Sequence, residues 1–455
     1  MPTSPARPLL IGAMAMLVAA SCSATTNAAG PGPAPAQSAA IPAQDGPGVT
    51  ADTITISWGK GLLPTGTVPA ATVKNFQEGY QAVVDAFNKQ GGIGGRKIQI
   101  LQDDPGKPLV AQRDEAYTKS NWLPVADPTN GKAACDAYAN TQVFALLYPN
   151  LVSAPYGTPA AGACLNSGGH PIIGVNGWTK ADYQAAPATA GVTIAADRFI
   201  DAVAAAGKDS GVLTKPAKTA LITGSAQPGD LLDRLYLPAL ARAGVTGPQV
   251  FPVSQTLSDA DKLSTTVKLK SAGIERIIFL TDAQATFSLA LNLLPAFQKQ
   301  QFEPQILSLD MPAHQALIAA AQIEFTPKLA DNLVSYWTRP SRDTLKLTDA
   351  QAATPGGKLY NAVAKANPTL QPYLDLDLCD ALELLKAALA ASGSTHVNAQ
   401  AFAAGLDKLN DSYQSPRLYA TSFGPDRHDG GAGLVRQTYS AECKCGVPSA
   451  KVLGF

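Results

Sequence analysis

Short β-rich runs and helical stretches alternate along this chain from residue 53 to beyond residue 390. That alternation limits its fold more than any other feature of the sequence. Thr53–Trp58 is rich in β-branched residues, and the stretch after it sets Val73, Phe76, Tyr80, Val83, Val84 and Phe87 at helical spacing. Further strands are expected at Lys97–Leu101, Val143–Leu147, Ile172–Val175, Thr219–Ile222, Arg276–Leu280, Gln305–Leu309 and Leu333–Tyr336. Helices are expected between them, among them Ala195–Ala206, Asp261–Ala272 and Leu376–Ala391, the last stopped by Gly393. Such a pattern predicts an α/β protein, with parallel sheets covered by helices on both faces. Pro238 and Pro295 fall inside two candidate helices and are expected to kink or break them. Near the end, Arg417–Phe423 and Gly433–Tyr439 flank the turn Asp426–Gly431 and read as a terminal hairpin.

The residues ahead of this body read as an export leader over 1–21. Arg7 precedes an apolar run from Leu9 to Ala20 that is too short for a permanent membrane span. Val18-Ala19-Ala20-Ser21-Cys22 resembles the lipobox of bacterial lipoproteins, in which the cysteine becomes the first mature residue and carries a diacylglycerol. Ordinary cleavage near Ala20 or Ala24 is the alternative, since Ala19 stands where that motif usually has Leu. Residues 22–49 are almost all small or polar, with one charge at Asp45 and one large apolar side chain at Ile41. They are expected to form a disordered tether with a reach of roughly 25–30 Å. Folded sequence is expected from about Thr50.

About 400 residues remain after the tether, which suits two lobes better than one small core. Lys plus Arg is 35 and Asp plus Glu is 35, so the formal net charge is +0 and no basic stripe points to nucleic acid. No second apolar run reaches spanning length, so contact with the membrane is expected only through the N-terminal lipid. With Cys22 set aside, Cys135, Cys164, Cys379, Cys443 and Cys445 leave one thiol unpaired. Cys135 and Cys164 lie in expected helices flanking the strand Val143–Leu147, and they are the expected disulfide. Cys443 and Cys445 are too close for an easy mutual bridge; one of them reaching Cys379 is one option, and the pairing of these three is left open.

In open α/β sheets a ligand binds beyond the carboxyl ends of the strands. Reading off those ends gives Trp58, Tyr148 to Ser153, Asn176 to Thr179, Thr223 to Gln227, Thr281 to Gln284, Ser308 to Asp310, and Trp337. Three of the chain's four tryptophans, Trp58, Trp178 and Trp337, fall in this set. A tryptophan offers a broad apolar face and one donor to a small ligand, although each is as readily explained by packing under a loop. The glycines Gly91, Gly92, Gly94 and Gly95 leave a helix and enter a strand. They are therefore expected to cap and turn, since a phosphate loop leads from a strand into a helix.

The run Asn88 to Ile100, followed by Asp103-Asp104, closely resembles the first lobe of type I periplasmic binding proteins. The nearest branch is the leucine, isoleucine and valine binding group of ABC importers, in lipoprotein form. Thr219 to Ile222 with Gln227-Pro228-Gly229 looks like the opening of that family's second lobe. Lys268 to Ile278 looks like its helix-to-strand unit. The resemblance implies two doubly wound lobes joined by three crossovers, with ligand held between them. Mapped onto this chain, lobe 1 is 50–190 plus 334–409, and lobe 2 is 191–333 plus 410–455.

It also implies ligand contacts. Asn150 and Ser153 lie in the loop that holds a ligand carboxylate, with Val152 at the family's serine position. Asn176 to Thr179 form the next contact, and Asp310 aligns with the acid that meets a ligand ammonium. Pro228 and Ala283 or Gln284 replace family aromatics, so leucine specificity is not implied. The expected ligand-binding set is Trp58, Tyr148, Asn150, Ser153, Asn176, Trp178, Thr179, Gln227, Asp282, Gln284, Asp310 and Trp337.

No catalytic or metal site is expected. His170, His314, His396 and His428 are scattered, and neither a Gly-x-Ser-x-Gly nor an H-E-x-x-H motif is present. Asp103-Asp104 resembles a carboxylate pair but reads as a strand-end feature. The expectation is a monomeric, cofactor-free solute-binding lipoprotein that serves an ABC permease at the outer face of the membrane. A sensor of the same fold is the alternative, and a secreted hydrolase the third reading.

Overall fold

Two sheets with a shared winding order organise the chain. The structure, a computed structural model, describes residues 41–58, 70–101, 141–148, 159–175, 178–224, 232–254, 257–280, 283–309, 326–339, 347–440 and 445–455. Its first half runs β1 (Thr53–Trp58), α1 (Ala70–Lys89), β2 (Lys97–Ile100), β3 (Ala145–Leu147), α2 (Pro159–Ser167), β4 (Ile172–Val175), α3 (Lys180–Ala185) and β5 (Thr189–Gly191). Next come α4 (Ala196–Asp209), β6 (Thr219–Gly224), α5 (Leu237–Arg242), β7 (Gln249–Val253), α6 (Asp259–Ser271), β8 (Arg276–Leu280), α7 (Ala283–Lys299) and β9 (Gln305–Leu309). The last part holds α8 (Pro327–Asn332), β10 (Leu333–Trp337), α9 (Asp349–Ala353), α10 (Pro355–Ala366), α11 (Leu376–Ser392), α12 (Ala399–Leu409), β11 (Gly433–Ser440) and β12 (Cys445–Gly454).

The first sheet has the order β2-β1-β3-β4-β5, all parallel. The second has the order β12-β11-β10-β9-β8-β6-β7. Its β7-β6-β8-β9-β10 part repeats the first sheet's order and is parallel, while β11 and β12 are antiparallel. The expected doubly wound α/β architecture is therefore present twice. Burial along β3, β4 and β8 is nearly continuous, as it must be for strands covered on both faces.

Helix α11 lies inside the first core. Leu378, Leu382, Leu385 and Leu389 pack there with Ile54, Ile56 and Phe87, and each such side chain contributes about 1.5–3 kcal/mol on burial. Helix α4 packs Ile200, Val203 and Ala206 into the second core against Leu221 and Ile278. The chain passes between the sheets three times: from β5 into α4, onward from β10, and from α12 back to β11.

Several expectations are corrected. Folded structure begins before Thr50. Asp45 accepts from Arg96 Nη2 at 2.8 Å and from the Val397 N–H at 2.7 Å. Asn398 Nδ2 donates to the carbonyls of Pro42 and Gln44. Residues 41–49 are thus fastened to the amino-terminal rim of the first sheet, and a disordered tether cannot include them. Strand β10, assigned from 334 onward to lobe 1, is paired between β9 and β11 in the second sheet. Conversely, Tyr413, Leu418 and Phe423 pack in the first core, although 410–455 was assigned to lobe 2.

The terminal hairpin joins β11 to β12, and Arg417–Phe423 contains no strand. Helix α7 runs through Pro295 unbroken, whereas at Pro238 a π-helical turn over Leu232–Tyr236 gives way to α5, a change of helical register of the kind expected there. Gly91 to Gly95 form the turn between α1 and β2, as expected.

Candidate functional site between the carboxyl edges

Where strand order reverses, neighbouring connections leave on opposite faces and a crevice opens at the carboxyl edge. That point lies between β1 and β3 in the first sheet and between β6 and β8 in the second. The crossings belong to the same edges. Gly191 ends β5, Trp337 ends β10, and β11 begins beside Trp337 through the Trp337–Val435 pair. Switch points and crossings therefore lie along the same carboxyl edges, two strands apart in each sheet.

Two of the expected residues flank the first switch point. Trp58 closes β1 and Tyr148 follows β3, their rings meeting edge to face at 5.8 Å. Trp58 meets Tyr80 of α1 in the same way at 5.7 Å, and Phe76 stacks on Tyr80. Offset and edge contacts of this kind suit the ring quadrupoles. Trp58 is only 2% exposed and Tyr148 9%, so this aromatic cluster is packed beneath the carboxyl edge of the first sheet rather than standing free. Tyr148 has φ +47°, a left-handed conformation that a bulky residue rarely adopts. Gly174 explains how its ring fits, because a Cβ there would lie 2.6 Å from the ring.

Below Tyr148 is a polar cluster that sequence reasoning missed. The Arg417 side chain pairs with Asp377 of α11, and both are nearly inaccessible. Asp380, one turn on, is fully buried and accepts from the Tyr413 hydroxyl at 2.5 Å and from Ser415 Oγ at 2.6 Å. Burial raises the Asp380 carboxyl to about 7 despite those two donors. Burial also pushes the Tyr148 hydroxyl far up, with Asp377 and Asp380 adding to it. One available signal was Asp377, Asp380 and Glu383, spaced three apart in a helix whose only other polar side chains are Lys386 and Ser392.

Other expected residues have structural duties. Trp178 is 2% exposed and packs with Leu146, Ile172 and Tyr183, its ring against Gly162. It fills a core because α2 offers a residue without a side chain there, so it does not line the crevice. Thr179 caps α3, exchanging hydrogen bonds with Asp182. Trp337 is buried at the end of β10, and its Nε1 donates to Ser335 Oγ at 2.7 Å. Gln284 falls in the first turn of α7. Asn150, Ser153, Asn176, Gln227, Asp282 and Asp310 lie outside the described residues, as do Cys22, Cys135 and Asp103-Asp104.

Cys164, on α2, is disulfide-bonded. Cys379 is a free, buried thiol, which closes the option of a bridge from it to Cys443 or Cys445. It sits in the middle of the first core. Among the described residues, no group of His, Cys, Asp and Glu forms a candidate metal site. No described helix is long and apolar enough to cross a membrane.

The first and third crossings run side by side. Gly191 N–H donates to the His428 carbonyl, Thr193 N–H to that of Asp429, and Gly431 N–H to that of Thr193, at 2.7, 3.0 and 2.8 Å. Asp429 then caps α4: its carboxylate accepts from the Ala195 N–H at 2.7 Å and from Arg198 Nη1 at 2.6 and 2.8 Å. The second crossing joins them where the Tyr419 N–H meets the Thr338 carbonyl.

Comparison with solved structures agrees with this architecture. A fatty acid ABC transporter substrate-binding protein from Thermomonospora curvata matches with TM-score 0.56 and 17% identity, over 90% of this chain and 95% of that one. A solute-binding protein of an R. palustris ABC transporter, in complex with 4-hydroxybenzoate, matches with TM-score 0.56 and 15% identity, over 89% and 97%. A branched-chain amino acid transporter substrate-binding protein from Streptococcus pneumoniae, in complex with isoleucine, matches with TM-score 0.52 and 16% identity, over 89% and 100%. No family model matches the chain, and no curated protein matches it. The fold is that of type I periplasmic binding proteins.

Proposed function

We propose that this chain is the solute-binding component of an ABC importer, exported and held at the outer face of the cell membrane by lipid on Cys22. One arrangement carries the reading: two sheets of one winding order whose switch points and three crossings lie along the same carboxyl edges. Such a body can hold a small molecule on one carboxyl edge and close the other over it by bending at the crossings. The bending then presents a changed surface to a permease. The similar structures, a fatty acid transporter protein and complexes with 4-hydroxybenzoate and isoleucine, support a small amphipathic ligand with a carboxylate.

In this reading Asn150, Ser153 and Asn176 meet the carboxylate above the Trp58–Tyr148 pair. Gln227, Asp282, Gln284 and Asp310 approach from the second sheet, with Asp310 suited to an ammonium, and Trp337 closes the side next to a crossing. Cys135 is the proposed partner of Cys164. The chain works without catalysis and as a monomer.

The test is mass spectrometry of small molecules co-purified with the protein, followed by thermal-shift titration with leucine, isoleucine and 4-hydroxybenzoate. Binding without turnover supports the reading, and consumption of the bound compound overturns it. Loss of uptake on deletion separates transport from sensing.

A further inference from the structure

The carboxyl ends of β3 and β4 are distorted to seat one ring. Tyr148 adopts φ +47°, and Gly174 beside it adopts φ +92°, where the pairing of β4 with β5 slips between Ile173 and Val175. A Cβ on Gly174 would meet three atoms of the Tyr148 ring at 2.6, 2.7 and 2.8 Å. The Tyr148 N–H is pinned to the Ile173 carbonyl at 2.6 Å. A bulky residue in left-handed backbone persists only where its surroundings over-determine it, and such strain concentrates at ligand-facing positions. The ring reaches from Trp58 at the carboxyl edge down to Asp377, Asp380 and Arg417, which its hydroxyl faces.

Asp380 is the fully buried member of that group. On its own helix it faces Asp377, with Asp375, Cys379 and Glu383 on adjoining turns. Tyr413, Ser415 and Arg417 reach it from the third crossing, and Tyr148 from β3. Helix α10 turns Gly356 toward it, where a Cβ would lie 3.1 Å from the Asp380 Cα, and α12 lays Phe402 and Leu406 in the same core. Tyr360 of α10 and Tyr80 of α1 face Asp375. Arg417 offsets the charge of Asp377, and Lys386 faces Glu383. The proton on Asp380 therefore sets the balance of charge beneath the ring.

We propose that Asp380 sets, through Tyr148, the charge selectivity of the first sheet's carboxyl edge: protonated it lets the edge accept a ligand carboxylate, and ionised it turns one away. Asp380 touches no ligand and is a positioning residue, with the strained ring as the layer between it and the solute. Burial lifts its carboxyl to about 7 against the pull of Ser415 and Tyr413, so the change falls near neutral pH. As pH rises through that value, a carboxylate above the ring meets a like charge below it and binds less tightly. An amino acid also carries an ammonium, which gains from the same charge, so its affinity changes less. The ligand half of the proposal rests on the solute-binding reading; the link from Asp380 to the ring does not.

The experiment places 3-fluorotyrosine at position 148, which keeps the hydroxyl, and follows its fluorine resonance in the ligand-free protein from pH 5 to pH 9. The resonance should move between two limits with its midpoint near pH 7, and Asp380→Asn should hold it at the acid limit. Ser415→Ala removes a donor to the ionised carboxylate and should move the midpoint upward. The dissociation constant of 4-hydroxybenzoate should rise about tenfold between pH 6 and pH 8, the order one buried charge exerts on another across a ring. Leucine should change less, and Asp380→Asn should flatten both profiles. A resonance without a transition, or a transition that survives in Asp380→Asn, overturns the proposal. So does 4-hydroxybenzoate that binds equally well across the range. A protein that binds neither solute would count against the solute-binding reading, while the fluorine titration still decides the link from Asp380 to the ring.

Discussion

The third crossing is fastened by buried carboxylates at both ends, and the two fastenings differ in kind. At its start, Tyr413, Ser415 and Arg417 reach into the first core and meet Asp380 and Asp377 on one rigid helix. Every partner belongs to the same body, so bending between the sheets leaves these bonds untouched. At its end, Asp429 reaches across to α4 in the second core, amid donors that remain unused. The first fastening sets where the crossing departs, and the second sets the angle at which it arrives.

The comparison is broken most severely at Arg417. Arg417→Ala would leave Asp377 charged in a closed interior, and loss of one partner of a buried pair costs about 3–5 kcal/mol. Chemical denaturation measures this, and a loss under about 1 kcal/mol would show that the first fastening is not a rigid one.

Asp380 gives the next effect, one of pH. Its folded carboxyl is raised from 3.8 to about 7 by burial, among Asp377, Glu383, Arg417 and Tyr413. Its contribution to stability is complete below pH 4 and is lost as pH rises through about 7, at about 1.4 kcal/mol for each unit of displacement. Asp380→Asn, which cannot ionise, should flatten that slope in melts taken from pH 4 to pH 8; an unchanged slope would assign it to another group.

Asp429→Asn keeps the bond to the Ala195 N–H but removes the charge facing Arg198. The expected loss is about 1–3 kcal/mol, smaller than at Arg417 because Arg198 retains partial access to water. An equal or larger loss would erase the distinction between the two ends. The smallest effect is expected far from both, at Asn398. Asn398→Ala removes the cap of α12 and two bonds to residues 42–44, costing about 1 kcal/mol. Limited proteolysis should then cut near residue 45 faster while the rest of the body resists.

Much of the layering was legible in the sequence, because parallel strands buried on both faces leave unmistakable apolar runs. Arg276–Leu280 and Gln305–Leu309 have the bounds expected of them. Sheet membership was harder to read: Leu333–Trp337 is apolar whichever sheet it joins, and only its pairing with β9 decides. The last strand was missed since Cys445–Gly454 contains Pro448 and Lys451, residues that suit an edge strand and read as loop. Asp45 looked like the lone charge of a tether because its partners, Arg96 and Val397, lie far along the chain.

At the site, the carboxyl-end rule found Trp58 and Tyr148 but also swept up Trp178, whose destination was set by the small side of α2. The Asp377, Asp380 and Arg417 cluster was hidden for a related reason. Arg417 sits in a segment that reads as a strand, yet it acts as a bolt into a helix 40 residues earlier.

Cys379 shares a helix with those acids, and its surroundings bear on how the chain matures. Burial, reinforced by Asp375, Asp380 and Glu383, suppresses its thiolate, the only form that attacks a disulfide. Once α11 has packed, the odd thiol drops out of exchange chemistry. The bridge at Cys164 can therefore close in an oxidising compartment without a competitor in the folded core, and scrambling is confined to chains whose first sheet has not yet formed.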